Sequence, residues 1–388
     1  MPYEPLEAGP CGQFIKVENE TEGVIPQRPL LNLEDPAILI NNGLAPSTSD
    51  ERFQEQMAYA VCSLVHTAFR AALGRQVVWG FQNPTDRNQL LVKPRAFGSN
   101  NSFYDRQNGE LCFGYYKSEA ADSYPGTIYC CLSHDTIAHE VTHALLDGLR
   151  AHFSLPMSPD VLALHEGFAD LVAVFQHFSY EQVVRTAIRK SRGNISRADL
   201  LTDIARQLGQ TRRDTKSALR SAIDSSLQSV ERRREQGSQT RRVCMTRKLE
   251  PHELGGVLVV AVFEAFITVF RRKTERLVRL ATGGSGRLPP GDIPLDLQDA
   301  LAEKASKLAS QFLNICIRAI DYCPPVDITL GQYLRAVITA DRDLVPDDSW
   351  AYREAWIDAF RRHKIFPASV QDLSEESLLW LSPEQQSF

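Results

Sequence analysis

Residues 135–144 read Asp135-Thr136-Ile137-Ala138-His139-Glu140-Val141-Thr142-His143-Ala144. Asp135 is placed to cap a helix that runs to about Leu149 and is ended by Gly148 or shortly after. On a helix, residues i and i+4 share a face. The imidazoles of His139 and His143 can therefore reach one metal, and Glu140, beside His139, faces the same cleft. Imidazole suits Zn²⁺, which takes N, S or O ligands in tetrahedral geometry. A catalytic zinc needs a third protein ligand and an open position for water.

The next helix, about Pro159 to His177, supplies that ligand. It carries His165-Glu166-Gly167-Phe168-Ala169-Asp170, and the 22 residues between His143 and Glu166 allow a turn and an antiparallel return. Glu166 and Asp170 again share a face. Glu166 can ligate while Asp170 accepts the outer N–H of a ligating histidine, fixing its tautomer. The five-residue histidine motif alone also arises by chance in a helix with two surface histidines. Its partner helix, with Glu-x-x-x-Asp at a workable distance, favours zinc.

Outward from this pair the chain changes character. Residues 1–49 are punctuated by Pro and Asn and read as short strands and turns, Ala37–Ile40 being one apolar run. Asp50 to Leu73 reads as a helix, with Met57, Val61, Leu64, Val65 and Phe69 at three- and four-residue spacing and Gly74 as the stop. Strands are expected at 77–81, 90–92, 102–104, 111–116 and 127–131, with Asn108-Gly109 marking a hairpin. After the two metal helices, a long helix is expected from about Leu254 to Leu280, and others at 296–321, 330–340 and 350–363. Residues 282–291 form a loop without the Lys-Ser/Thr ending of a phosphate-binding loop. The tail 372–381 reads as a short packed helix or a docking segment. Altogether this is an α+β chain. A strand-rich N-terminal part (1–133) precedes a mainly helical part (134–388), with the zinc expected in the cleft between them.

The chain has 388 residues, 43 Lys+Arg against 48 Asp+Glu, and a net charge of −5. That balance argues against a nucleic-acid-binding surface over the whole protein. No apolar run approaches the ~20 residues that span a bilayer, and the first residues show no signal peptide, so a cytoplasmic protein is expected. Eight cysteines without framework spacing read as reduced thiols. The adjacent Cys130-Cys131 read as buried strand residues. Residues 185–248 hold seventeen Lys/Arg against six Asp/Glu. They form either a solvated helical face or a docking surface for an acidic partner or substrate.

The metal segment resembles the active-site helix of the thermolysin-like zinc metallopeptidases, within the gluzincins. His165–Asp170 resembles their third-ligand helix, with His165 in place of the usual Asn. Asn101-Ser102-Phe103-Tyr104 is similar to their substrate-binding edge strand. Leu249-Glu250-Pro251-His252-Glu253-Leu254-Gly255-Gly256-Val257 resembles the segment with their second catalytic histidine. Leu219-Arg220-Ser221 weakly resembles the arginine beside the pocket for the residue after the scissile bond. The likeness spans about residues 50 to 365.

The resemblance implies a thermolysin-like fold and hydrolysis of internal peptide bonds. Zn²⁺ held by His139, His143 and Glu166 would lower the pKa of a bound water and polarise the scissile carbonyl, with Glu140 as general base. His252 would donate to the oxyanion, Asn101 and Ser102 would pair with substrate backbone, and Arg220 would contact substrate. Other readings stand beside these roles. His252 could simply cap the long helix, Asn101 could be a turn residue, Arg220 could be a solvated member of the basic stretch, and Asp147 could support a ligand or lie on the surface. The family's oxyanion-assisting tyrosine has no counterpart between His143 and Glu166, where His152, Phe153 and Ser154 stand. No acidic cluster follows the third-ligand helix, so no structural calcium is expected. Two other functions compete. A gluzincin aminopeptidase would need a Gly-x-Met-Glu-Asn segment, which the sequence lacks. A catalytically silent zinc-binding interaction protein would work through residues 185–248 and has no need of Glu140.

Overall fold

In the computed structural model, residues 4–18, 29–81, 88–117, 126–155, 157–190, 251–286, 288 and 293–380 are described, with the backbone alone at 154, 190 and 251–253. The chain divides into two units, Met1–Ala151 and His152–Phe388. The division falls beyond the expected 133/134 boundary and leaves the two-histidine helix with the strands, because that helix packs on elements of the first unit. The class is α+β.

The first unit begins with β1 (Ile15–Val17) and a four-residue helix, α1 (Pro36–Leu39). Helix α2 (Glu51–Leu73) follows. Asp50 accepts a hydrogen bond from Arg52 N at its start, and Gly74, at φ +66°, closes it in the left-handed region that glycine adopts without strain. Strands β2 (Leu90–Phe97), β3 (Ser102–Asp105), β4 (Glu110–Lys117) and β5 (Thr127–Tyr129) complete the sheet. The sheet order is β1-β2-β4-β3, with β5 paired to β4. β1 and β2 run parallel, as do β2 and β4; β3 and β5 are antiparallel to β4. The β3–β4 hairpin turns at Asn108-Gly109 as expected. Asp105 accepts from the Gln107 and Asn108 amides, and Gly109 has φ +70°. Helix α3 (His134–Leu149) packs against α2 and β3.

The second unit is helical: α4 (Pro159–His177), α5 (Glu181–Lys190), α6 (Pro251–Ala281), α7 (Leu295–Ala319), α8 (Leu330–Leu344), α9 (Tyr352–Arg362) and α10 (Glu375–Leu378). Its core is aromatic. Phe175 stacks on Phe263 at 5.2 Å, Phe266 meets Phe312 edge-on at 5.5 Å, and Phe312 stacks on Trp356 at 5.4 Å. α4 and α6 touch at two glycines. A Cβ built on Gly167 would lie 2.6 Å from the Gly255 carbonyl oxygen, and one on Gly255 would lie 2.8 Å from that of Ala163. Only residues without Cβ allow this approach.

Several expectations are corrected. The apolar run at 37–40 is not a strand: Asp35 accepts from Ala37 N and Pro36 takes the first helical position, making a short helix. Residues 77–81 show the alternation of a strand, with Val77, Trp79 and Phe81 buried and Val78 exposed. Their backbone instead lies against the last turn of α3, where a Cβ on Gly148 would overlap the Val78 oxygen. Gly148 therefore sits inside the helix as a packing residue, and the helix ends just after it at Leu149, as expected. β5 stops at Tyr129, and Cys130–Leu132 form a 3₁₀ turn, so these two cysteines are not strand residues. Ser133, not Asp135, caps α3, accepting from the Thr136 amide. α6 passes the length and apolarity test of a membrane span over Leu254–Ala281, contrary to the expectation that nothing comes near it. Its most apolar window is 67% buried within the protein, as for a core helix.

Candidate metal centre

Ser133 fixes where α3 starts, and so fixes which face His139 and His143 share. Their Nε2 atoms stand 3.0 Å apart with the rings nearly perpendicular, at 88°. Two nitrogens each about 2.0–2.1 Å from one tetrahedral zinc lie roughly 3.3 Å apart, so the pair fits a shared ion with little movement. The same separation suits a hydrogen bond between the rings, which metal binding would replace. Glu140 is buried next to His139. Thr142 adds no competing side chain, because its hydroxyl donates back to the Ala138 carbonyl at 2.6 Å.

Glu166 and Asp170 stand one turn apart and half-buried on α4. The glycine contact at Gly167 and Gly255 holds the backbone beside Glu166 against the first two turns of α6. The backbone of His252 belongs to the first of those turns; its side chain lies outside the described residues. His139 and His143 of the first unit and Glu166 of the second are residues of the types that hold a metal ion. Two imidazole nitrogens and a carboxylate oxygen are a donor set that suits zinc. His134 and Asp135 of the first unit and His177 of the second are further residues of such types, which the sequence reading did not single out as ligands.

β3 is an edge strand that pairs with β4 alone among the described residues. The Gly114 amide donates to the Asn101 carbonyl at 2.9 Å, and Ser102 lies opposite Phe113. Bonded and non-bonded pairs alternate along an antiparallel ladder. The main-chain groups of Ser102 and Tyr104 therefore face the open edge, while those of Asn101 and Phe103 face β4. Of the two residues expected to meet substrate backbone, Ser102 has its main chain available. The Asn101 carbonyl is taken, leaving its exposed side chain.

The edge strand is tied to the histidine helix by a carboxylate. Asp147, one turn beyond His143, is 1% exposed. Its Oδ2 accepts from the Tyr104 hydroxyl at 3.0 Å, and its Oδ1 pairs with Arg106 Nε at 2.8 Å. Of the two readings of Asp147, the surface one is thus excluded. Burial pushes its carboxyl above the ordinary aspartate range, against the pull of Arg106 and the hydrogen bond from Tyr104. Burial, with Asp147 alongside, raises the Tyr104 phenol. Sequence reasoning missed the roles of Tyr104 and Arg106. The available signal was the strand period, which puts Ser102 and Tyr104 on one face, combined with the helical spacing of His143 and Asp147.

Arg220 and residues 191–248 of the basic stretch lie outside the described residues. Of the part that is described, Arg185 pairs with Glu181 at 2.7 Å and Asp299 at 2.9 Å, a role inside the fold. His152 is exposed on the 3₁₀ turn Ala151–Ser154. Comparison with protein-family models and with curated proteins gives no match to this chain.

Proposed function

We propose that this chain is a zinc-dependent metalloendopeptidase that hydrolyses internal peptide bonds. The observation that carries the reading is the convergence of the His139 and His143 Nε2 atoms at 3.0 Å, beside a buried Glu140. A purely structural zinc site has no use for that carboxylate. His139 and His143 would hold the ion through Nε2, and Glu166 through a carboxylate oxygen. A zinc ion there would supply Lewis-acid polarisation of the scissile carbonyl and would acidify water at its open position.

The remaining steps belong to the chain's own groups. Glu140 takes a proton from the attacking water and passes one to the leaving amine as the C–N bond breaks. His252 donates to the carbonyl oxygen as it gains charge, a contribution of about 3–4 kcal/mol in comparable sites. Asp170 accepts the outer N–H of a ligating histidine. An extended substrate adds as a strand to β3, exchanging main-chain hydrogen bonds with Ser102.

The test is cleavage of a peptide library by the zinc-loaded protein, read by mass spectrometry beside Glu140→Gln. Internal cuts by the wild type, with the variant slower by about 10²–10⁴-fold, are expected. Zinc bound with no cuts by either protein would leave the non-catalytic zinc-binding alternative in its place.

A further inference from the structure

Asp147 lies on the two-histidine helix but belongs neither to the ligand set nor to the proton-transfer group. It is nevertheless held more tightly than a surface carboxylate needs. Its main chain is pinned from one side, where a Cβ on Gly80 would lie 2.4 Å from the Asp147 carbonyl oxygen. Its side chain reaches β3 from the other, through Tyr104 Oη at 3.0 Å and Arg106 Nε at 2.8 Å. Tyr104 is two residues from Ser102, on the same face of the strand, and Arg106 opens the turn that follows it. Both bonds grip the strand whose outer edge is open.

We infer that Asp147 is a positioning residue for the substrate strand. Through Tyr104 and Arg106 it fixes the height of β3 along α3, and with it the place of the Ser102 N–H and C=O relative to His143 and Glu140. This rests on the peptidase reading above and adds to it the device that sets where an extended peptide lies. A carboxylate is the suitable group, because one oxygen accepts from the Tyr104 hydroxyl while the other carries charge against Arg106. An asparagine fills the same volume and can still bond the Tyr104 hydroxyl, which donates or accepts, but it has no charge to pair with Arg106. Asp147→Asn therefore loosens the strand without emptying the site. Tyr104→Phe removes the other bond and little else.

The consequence is a division between KM and kcat. For peptides long enough to pair along β3, both variants raise KM about tenfold, the cost of one hydrogen bond to a charged group, with kcat within about twofold of wild type. For blocked substrates too short to reach Ser102, KM is unchanged. Zinc content stays that of the wild type, since no ligand is touched.

The experiment measures those constants for wild type, Asp147→Asn and Tyr104→Phe, together with amide hydrogen exchange at Phe103 and Asp105, whose main chains face β4. A KM rise confined to long peptides, with faster exchange on β3 and unchanged exchange on α2, is the expected result. Equal loss on long and short substrates, a fall in kcat alone, or unchanged exchange on β3 would overturn the positioning role. If the wild type cleaves nothing, the peptidase reading fails by itself. Exchange on β3 then still decides whether Asp147 anchors the strand.

Discussion

Asp147 carries a charge that the fold has taken out of water, and this gives it a pH signature. Its folded pKa lies above the unfolded value, because burial outweighs the help of Arg106 and Tyr104. The folded state therefore binds this proton more readily than the unfolded one. The group's contribution to stability is complete below about pH 4 and is lost as pH rises through the raised value. Asp147→Asn has no such dependence. Thermal melts between about pH 4 and 7 should show the wild type losing stability relative to Asp147→Asn as pH rises; the opposite trend would contradict the burial argument. At this scale the metal residues were the most legible part of the chain, since helical spacing alone puts His139 and His143 on one face. Tyr104 and Arg106 were less so, because their partner lies 43 and 41 positions away, and strand and helix spacing show which face each residue takes but not that the two faces meet.

Between elements, the decisive contacts are made by residues that carry no chemistry. Gly167, next to Glu166, lets α4 approach α6 at Gly255. Gly167→Ala puts a methyl group 2.6 Å from the Gly255 carbonyl oxygen and must separate the helices. A loss of about 1–3 kcal/mol in urea unfolding, with weaker zinc binding, is expected; a variant as stable as wild type with full zinc affinity would show that the contact does not position Glu166. The 3₁₀ turn before α3 offers another check. Burial pushes the Cys131 thiol up to about 12, so it should resist alkylation at neutral pH until the protein unfolds. Fast labelling of Cys131 in the folded state would sink that. Most helices and four of the five expected strand segments could be read from the pattern of apolar residues, the last of them two residues too long. Residues 77–81 have a strand's alternation without its ladder, because what their backbone packs on is a helix end that no local pattern announces.

Across the whole molecule, each of the two units has its own buried core. The second is secured near its C-terminal end by Arg353, which donates to Asp341 at 2.8 Å and to the carbonyls of Val345 and Pro346, and pairs with Glu375 at 2.9 Å. Asp341→Ala leaves Arg353 paired with Glu375 and the two carbonyls but removes its buried carboxylate partner, so it should cost about 1–3 kcal/mol. Urea unfolding measures this, and a loss below about 1 kcal/mol would place the pair among those of little weight. Composition limited the class to an ordinary globular protein, and periodicity along the chain pointed to α+β. Neither could place the division at Ala151, because the helix carrying the histidines has the residues of either unit and only packing assigns it.

The most direct measurement is internal peptide cleavage by metal-stripped protein as zinc is returned in counted equivalents. The account predicts no cleavage without metal, activity that rises to a plateau at about one zinc per chain, and none of that rise in Glu140→Gln. Cleavage that persists after the metal is removed, or one tightly bound zinc with no cleavage of any peptide, would contradict it.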